Sequence, residues 1–287
     1  MGTVDDYLYS RPWADETRDK YERIIRAFLE ETEKPETIKP IELVHWFDTK
    51  PWGDSYRYVA LSAIRAFVRW KWGEAHPVLE LQIKRGEAGP QRVLTQEKLE
   101  CLLAHFDTST PKGRRDLSIC ALMVDTGLRV SEIARLSLKH VNISDRILDV
   151  ITKGGRWERK IIPVYTLSCL CSWLGDRSEI ALPGVPNVYV GIAKFTQGKP
   201  MTRSGIQHEV AKWGQRSGIG KLSPHDFRRT MATLATRGGA PQPVVMAQGG
   251  WRSEKTFKKY IRQINPSDFD PYSPISATMK IPAKKED

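Results

Sequence analysis

Long apolar runs are missing from this sequence, and cysteine is scarce. No window approaches the roughly 18 consecutive apolar residues of a transmembrane helix, which excludes such a helix. The first residues, MGTVDDYLYSRPW, contain neither a basic segment nor an apolar one, so we expect no secretory signal. The four cysteines form no C-x-x-C pair and have no histidine partners at zinc-binding spacing. We therefore expect reduced thiols in a cytoplasmic protein.

Several signatures of nucleotide-, metal- and serine-dependent enzymes are also missing. The sequence has no glycine-rich phosphate loop of the Walker type, no acidic cluster suited to two-metal catalysis and no G-x-S-x-G motif. It has no internal repeats and no low-complexity tracts. We therefore expect no cofactor, whether metal ion or nucleotide.

Positive charge is what the sequence has in excess. Among its 287 residues, 45 are Lys or Arg and 34 are Asp or Glu, which gives a net charge of +11. Charge of this sign favours polyanions such as DNA or RNA. Hydrophobic residues make up 40%, as in a globular protein, and the length suits two compact domains.

The first part of the chain predicts a small helical domain over residues 1–80. Three segments have the apolar spacing or the start signal of helices: residues 15–31, 41–47 and 54–72. The second of them follows Pro40, a favoured residue at a helix start. Arg65 and Arg69 lie four residues apart in the third and give it a basic face. We infer an all-α domain that can face a polyanion.

The rest of the chain predicts a linker, a larger domain and a tail. Residues 81–93 are basic and rich in turn formers, which is typical of a linker. Within the domain at 94–264, two β-rich runs at 147–152 and 160–164 flank a Gly-Gly turn. Helical patterns are predicted around it, at 94–106, 113–126, 166–175, 203–216, 225–237, 241–248 and 253–262. The tail at 265–287 is rich in proline and weakly patterned.

Four segments contain residues with chemical potential: TGLRVSEI, TKGGRWERK, SPHDFRRTMATLA and GGWRSEKTFKKY. Each has an ordinary interpretation when taken alone. Arg129 follows a glycine that ends a helix, where the helix dipole favours a positive charge. His225 and Arg228 share one helix face, as any residues three apart do. Tyr260 is an amphipathic residue at the end of a helix. No one of these segments identifies a function by itself.

The order of the four segments resembles the tyrosine recombinase (phage integrase) family, in its compact two-domain Xer-like or Cre-like type. The resemblance runs over residues 15–262. It implies the following site residues: Arg129 as the first catalytic arginine, Glu132 as its acidic support, Lys153 as the hairpin lysine, His225 and Arg228 as the H-x-x-R pair, Trp251 at the histidine-or-tryptophan position, and Tyr260 as the nucleophile. Lys160 also lies near the hairpin and is the second candidate for its lysine.

The resemblance also implies a fold. It is mainly α, with an N-terminal helical core-binding domain (SAM-like) and an α-rich catalytic domain that contains a small antiparallel β-sheet, the DNA breaking-rejoining fold. The two domains of such an enzyme clamp DNA from two sides. The first predicted helix begins near residue 15, so we expect no additional arm-binding domain of the lambda type ahead of it.

The implied activity is site-specific DNA recombination. Tyr260 would attack a DNA phosphodiester to give a 3′-phosphotyrosine and a free 5′-hydroxyl, and strands would then exchange through a Holliday junction. The implied partners are double-stranded recombination sites and further copies of the chain, as a tetramer on DNA and a monomer or dimer when free, with no membrane involved. The expected location is the cytoplasm, at the nucleoid, of a prokaryotic, archaeal or viral host cell.

Several points stay open at this stage. Arg57, Arg65, Arg69 and Arg156 are the further candidates for DNA contacts. A type IB topoisomerase would use related chemistry to relax supercoils, and a DNA-binding protein without catalysis is a third alternative. Tyr260 can belong to its own active site or to that of a neighbouring protomer. The tail at 265–287 is a candidate for contacts between protomers.

Overall fold

The fold was obtained as a computed structural model that describes residues 2–84, 92–152, 155–251 and 269–279. The chain divides into two compact units, Met1–Pro90 and Gln91–Asp287. This division falls inside the stretch that the sequence predicts as a linker. Within the described ranges, no helix is both long enough and apolar enough to cross a membrane.

The first unit is a helical domain with its own core. Its helices are α1 (Val4–Tyr9), α2 (Asp15–Glu31), α3 (Pro40–Asp48) and α4 (Asp54–Trp72), followed by a 3₁₀ turn at Pro77–Glu80. The predicted helix at 15–31 is confirmed, and its apolar stripe buries Ile24, Ile25 and Phe28 because these residues recur on one face. No helix is predicted from an apolar period at α1, which is short and begins with a capping box between Thr3 and Asp6.

The second unit is built around one buried helix. Within the described residues, its helices are α5 (Gln96–Ala104), α6 (Pro111–Thr126), α7 (Val130–Arg135), α8 (Val164–Ile180), α9 (Arg203–Arg216), α10 (Pro224–Arg237), α11 (Gln242–Gly249) and α12 (Pro274–Thr278). The predicted helix at 253–262 lies outside the described residues. Helix α6 is buried on all sides from Leu117 to Thr126 and contacts α8 and α10. A helix that is buried on all sides lies in the centre of a domain, so α6 is the element on which the others pack.

A three-stranded antiparallel sheet lies beside these helices, in the order β1 (Val141–Asn142), β2 (Ile147–Thr152), β3 (Arg156–Ile161). The predicted strand at 147–152 is confirmed. The second strand begins four residues earlier than the predicted 160–164, and it ends at Ile161 because Pro163 cannot donate to a ladder and precedes α8. The mainly-α fold class with a small antiparallel sheet is confirmed.

The C-terminal segment 269–279 is more ordered than its weak sequence pattern indicates. Phe269 and Ile275 are fully buried, and α12 packs against α6 and α8 of the same unit. Asp125, at the end of α6, holds this segment through its carboxylate. That carboxylate accepts hydrogen bonds from the Thr166 hydroxyl (2.5 Å), the Ser273 hydroxyl (2.9 Å) and the Ile275 backbone N–H (3.1 Å). Residues 280–287 lie outside the described residues, and a protomer contact through the tail stays a prediction.

Burial of Asp125 predicts a stability that falls with rising pH. Burial raises the pKa of Asp125 from 3.8 to about 7, although its hydrogen-bond donors lower it. Between about pH 4 and pH 7 the unfolded chain releases this proton while the folded chain keeps it, so the folded state loses stability as pH rises. The pKa difference corresponds to about 4 kcal/mol.

Urea denaturation of wild type and Asp125→Asn across this pH range is the measurement. The difference in unfolding free energy between the two proteins should change with pH by this amount, since other carboxylates contribute equally to both. A pH-independent difference would contradict the prediction. Ser273→Ala serves as a milder variant, because it removes one donor that lowers the pKa of Asp125. It should extend the loss of folding stability to higher pH.

Candidate active site

The turn between α6 and α7 positions Arg129. Gly127 ends α6 with φ +61°, and a Cβ there would lie 2.8 Å from Met231 Cε, so the turn requires glycine. Arg129 then caps α7: its backbone N–H donates to Glu132 Oε2 (2.8 Å) and its Nη1 donates to Glu132 Oε1 (2.9 Å). The Glu132 side chain is 4% exposed and that of Arg129 is 38% exposed. Glu132 therefore fixes a guanidinium that remains accessible to an anion.

Helix α10 brings Arg228 to the same place. Ser223 caps the start of this helix in a capping box with Asp226, and Pro224 is its first residue. One turn later, Arg228 Nη1 donates to the carbonyl oxygen of Gly127. Burial and, to a smaller extent, the positive charge of Arg129 together lower the pKa of Arg228 from 12.5 to about 10. The two guanidiniums are thus close enough to repel each other, and an anion bound between them would relieve that repulsion.

His225 lies at the exposed start of the same helix. Partial burial lowers the pKa of His225, as do the positive charges of Arg229, Arg228 and Arg129. The direction of this shift favours the neutral imidazole at pH 7, which can accept a proton. The site therefore combines permanent cations with a basic nitrogen on one helix end.

Trp251 covers the Arg228 guanidinium, with Arg228 Cζ lying 4.2 Å from the indole ring centroid. Two glycines before Trp251 leave the space that its indole ring and the side chain of Glu158 occupy. A Cβ on Gly249 would lie 1.7 Å from the indole ring, and one on Gly250 (φ +67°) would lie 2.2 Å from Glu158 Oε2. The Gly-Gly pair before Trp251 is therefore a packing requirement of the site.

Strand β3 places Lys160 beside this turn but inside the protein. Its Nζ donates to Glu158 Oε2 (2.9 Å) and to the Ala247 carbonyl oxygen (3.2 Å), and the residue is 2% exposed. Burial lowers the pKa of Lys160, whereas Glu158 raises it. The burial and pairing of this ammonium favour Lys153 over Lys160 as the hairpin lysine, and that assignment stays a prediction.

The structure brings together five of the predicted site residues: Arg129, Glu132, His225, Arg228 and Trp251. Lys153 and Tyr260 lie outside the described residues. The first follows directly on β2, and the second is nine residues beyond Trp251. Their roles stay predictions.

The predicted DNA-contacting arginines have the following surroundings. Arg57 Nη1 pairs with Asp48 (2.7 Å), and Arg69 pairs with Glu74 (2.8 Å). Arg65 donates to the backbone carbonyls of residues 78, 79 and 81, so it closes the end of its own domain. Arg156 is exposed at the start of β3. DNA contact by all four stays a prediction.

Sequence reasoning missed Glu158 and Gln248. Gln248 is buried and hydrogen-bonds both backbone groups of Ile161. A glutamine directly before the Gly-Gly pair carries no periodic signal, because its partner Ile161 lies 87 residues away in the chain. The alternation of β3, by contrast, could have indicated that Glu158 and Lys160 share one face.

Comparison with known proteins places this geometry among DNA recombinases. The model of the phage integrase family matches residues 92–265. A tyrosine recombinase XerD from Listeria monocytogenes is 27% identical over 258 residues, which is 83% of this chain and 86% of that protein.

Two solved structures share the fold. A Tn1549 transposon integrase in complex with transposon right end DNA has a TM-score of 0.69 at 15% identity, covering 97% of this chain and 98% of that one. A lambda integrase tetramer bound to a Holliday junction has a TM-score of 0.66 at 16% identity, covering 91% of this chain and 76% of that one.

Proposed function

The chain belongs to the phage integrase family of tyrosine recombinases, which cleave and rejoin DNA through a tyrosine, and we propose that Tyr260 is its nucleophile. The observation that supports this proposal is the paired guanidinium site of Arg129 and Arg228, held by Glu132 and covered by Trp251. This site fits the scissile phosphate of double-stranded DNA.

Two arginines suit this task because a phosphodiester is already negative and gains charge during attack. Guanidiniums donate in pairs to non-bridging oxygens and remain protonated at neutral pH. Their accumulated positive charge lowers the free energy of the transition state. The indole N–H of Trp251 is a further donor that can bind the phosphate while the ring packs the site.

Proton transfer falls to His225 and Lys153 in this proposal. A tyrosine hydroxyl has an ordinary pKa of about 10, so little phenolate exists at neutral pH. The neutral imidazole of His225 accepts the phenolic proton as the Tyr260 oxygen attacks phosphorus. The P–O5′ bond breaks, and Lys153 gives its proton to the departing 5′-oxygen. The products are a 3′-phosphotyrosine and a free 5′-hydroxyl.

The covalent intermediate conserves the bond that recombination needs. A 5′-hydroxyl from a second DNA site can attack the phosphotyrosine, rejoin the strand and release Tyr260. No nucleotide is required, because one phosphoester replaces another. We propose that copies of the chain assemble as a tetramer on paired sites in the cytoplasm, as the lambda integrase does on its Holliday junction.

A nicked suicide DNA site tests the proposed function. The protein should form a covalent adduct that survives a denaturing gel, since the short strand released by cleavage cannot religate. Joining of two separate sites would then distinguish recombination from the relaxation of supercoils by a type IB topoisomerase. A protein that binds the site without any adduct would be a DNA-binding protein without catalysis, and the proposal would fail.

DNA binding should depend steeply on salt. Arginine and lysine contacts to phosphates release condensed counterions, so affinity falls as salt is added. For about 6–10 phosphate contacts, the affinity should fall about 10³- to 10⁵-fold between about 50 and 200 mM salt. Fluorescence anisotropy on a labelled duplex measures the slope. A flat response would contradict binding through phosphate contacts.

A further inference from the structure

The inner side of β3 carries a buried ion pair that the proposed reaction does not use. Lys160 and Glu158 lie two residues apart and therefore share one face of the strand. The Lys160 side chain is 2% exposed and that of Glu158 is 10% exposed. A buried ion pair is no more stable than well-packed apolar residues of the same size. The directional contacts of this pair are therefore its distinctive property.

Those contacts fix the end of α11. Lys160 Nζ donates to the carbonyl oxygen of Ala247 (3.2 Å), in the last turn of the helix. The next residue, Gln248, makes a two-fold pairing with Ile161 of β3: its Oε1 accepts from the Ile161 N–H (3.1 Å) and its Nε2 donates to the Ile161 carbonyl (2.7 Å). Consecutive residues of α11 are thus bonded to consecutive residues of β3.

These bonds lead to Trp251 and Arg228, the pair proposed to bind the scissile phosphate. Gly250 lies directly against the ion pair, since a Cβ there would come within 2.2 Å of Glu158 Oε2 and 2.8 Å of Lys160 Nζ. The following residue is Trp251, whose ring lies over the Arg228 guanidinium at 4.2 Å. A shift of the turn would therefore move the indole and release the guanidinium beneath it.

We propose that Lys160 and Gln248 are positioning residues that hold the Trp251–Arg228 pair in its phosphate-binding geometry. They do so from β3, through the end of α11 and the Gly-Gly turn, and neither residue touches the DNA. The inference rests on the proposed function, because it assigns what these residues position for that reaction.

The test compares two suicide substrates, one with an ordinary scissile phosphodiester and one with an uncharged methylphosphonate. On the phosphodiester, Lys160→Met and Gln248→Leu should slow adduct formation about 100-fold, as expected for misplaced groups that act on the reacting atoms. On the methylphosphonate they should stay within about threefold of wild type, because the charge that the arginines stabilise is absent. A merely structural defect would slow both substrates equally.

Matched controls use neighbouring residues that take no part in the hydrogen bonds between Lys160, Ile161, Ala247 and Gln248. Arg159→Met removes a cation from the outer face of β3, where Arg159 pairs with Asp149 (3.0 Å), and Gln242→Leu alters the exposed start of α11. Both should behave as wild type on the two substrates. Lys160→Arg keeps the positive charge and should recover part of the rate that Lys160→Met loses.

A double variant, Glu158→Gln with Lys160→Met, removes both charges of this ion pair. It should show the same selective loss on the phosphodiester, which keeps the test valid where the single variant does not fold. Equal loss on both substrates would overturn the inference. Wild-type protein that forms no adduct on either substrate would instead overturn the proposed function.

Discussion

Tyr260→Phe should bind the recombination site like wild type and form no covalent adduct with it. The substitution keeps the aromatic ring and removes only the hydroxyl oxygen that would attack phosphorus. Loss of a nucleophile that acts as one unit with its base costs on the order of 10⁶ in rate. The measurement is a denaturing gel with the nicked suicide site, followed by peptide mapping of the wild-type adduct to locate the phosphotyrosine.

The matched control is Tyr272→Phe in the C-terminal segment. Tyr272 is partly buried against the cluster that contains Met231 and Phe269, so its substitution tests a second tyrosine of the same region. It should leave the adduct unchanged. An adduct that survives Tyr260→Phe, or maps to another residue, would contradict the assignment of the nucleophile.

The same variant decides whose active site Tyr260 serves. A mixture of Tyr260→Phe and an arginine-defective protein regains activity only if one protomer gives its tyrosine to the site of another. Recovery of the adduct in the mixture shows cleavage in trans, and its absence shows cleavage in cis. The sequence motif identifies the tyrosine but contains no information on this choice.

Most helices could be predicted from the sequence because their signal is local. Neighbouring residues contain the apolar period of α2 and α4, and also the glycine that ends α6. The sequence predicts the start of β3 too late, since the first residues of this strand, Arg156 to Arg159, are charged or exposed and lack an apolar run. Their pairing is determined by the register with β2, which propensity does not contain.

The site shows the same division between local and distant information. The Arg129–Glu132 pair lies within four residues and follows from a helix start. The stacking of Trp251 on Arg228, and the burial of Lys160 against α11, join segments far apart in the sequence. Family resemblance could suggest that Arg228 and Trp251 meet at one phosphate. It could not supply the contacts of Gln248, which depend on how α11 packs against β3.

Arg228→Lys should reduce cleavage by about 10²- to 10³-fold, the usual cost of one preorganised donor to a transition-state charge. Lysine offers a single ammonium where the guanidinium can bond Gly127 and a phosphate at once. A lysine at this position would also lose its positive charge at a lower pH than arginine does. Burial and Arg129 already lower the pKa of Arg228 to about 10, and they would lower that of a lysine there from a lower starting value.

The variant should therefore lose activity further as pH rises, because a lysine with a lowered pKa gives up its proton where arginine keeps it. Single-turnover cleavage rates from about pH 6 to pH 9, with DNA affinity measured in parallel, test both points. Arg229→Lys is the matched control: Arg229 is the next residue of α10 and pairs with Asp226 (3.0 Å). A loss confined to affinity, or an equal loss in Arg229→Lys, would mean that Arg228 contributes to binding charge in general. A loss in rate alone would mean that its geometry acts on the reacting phosphate.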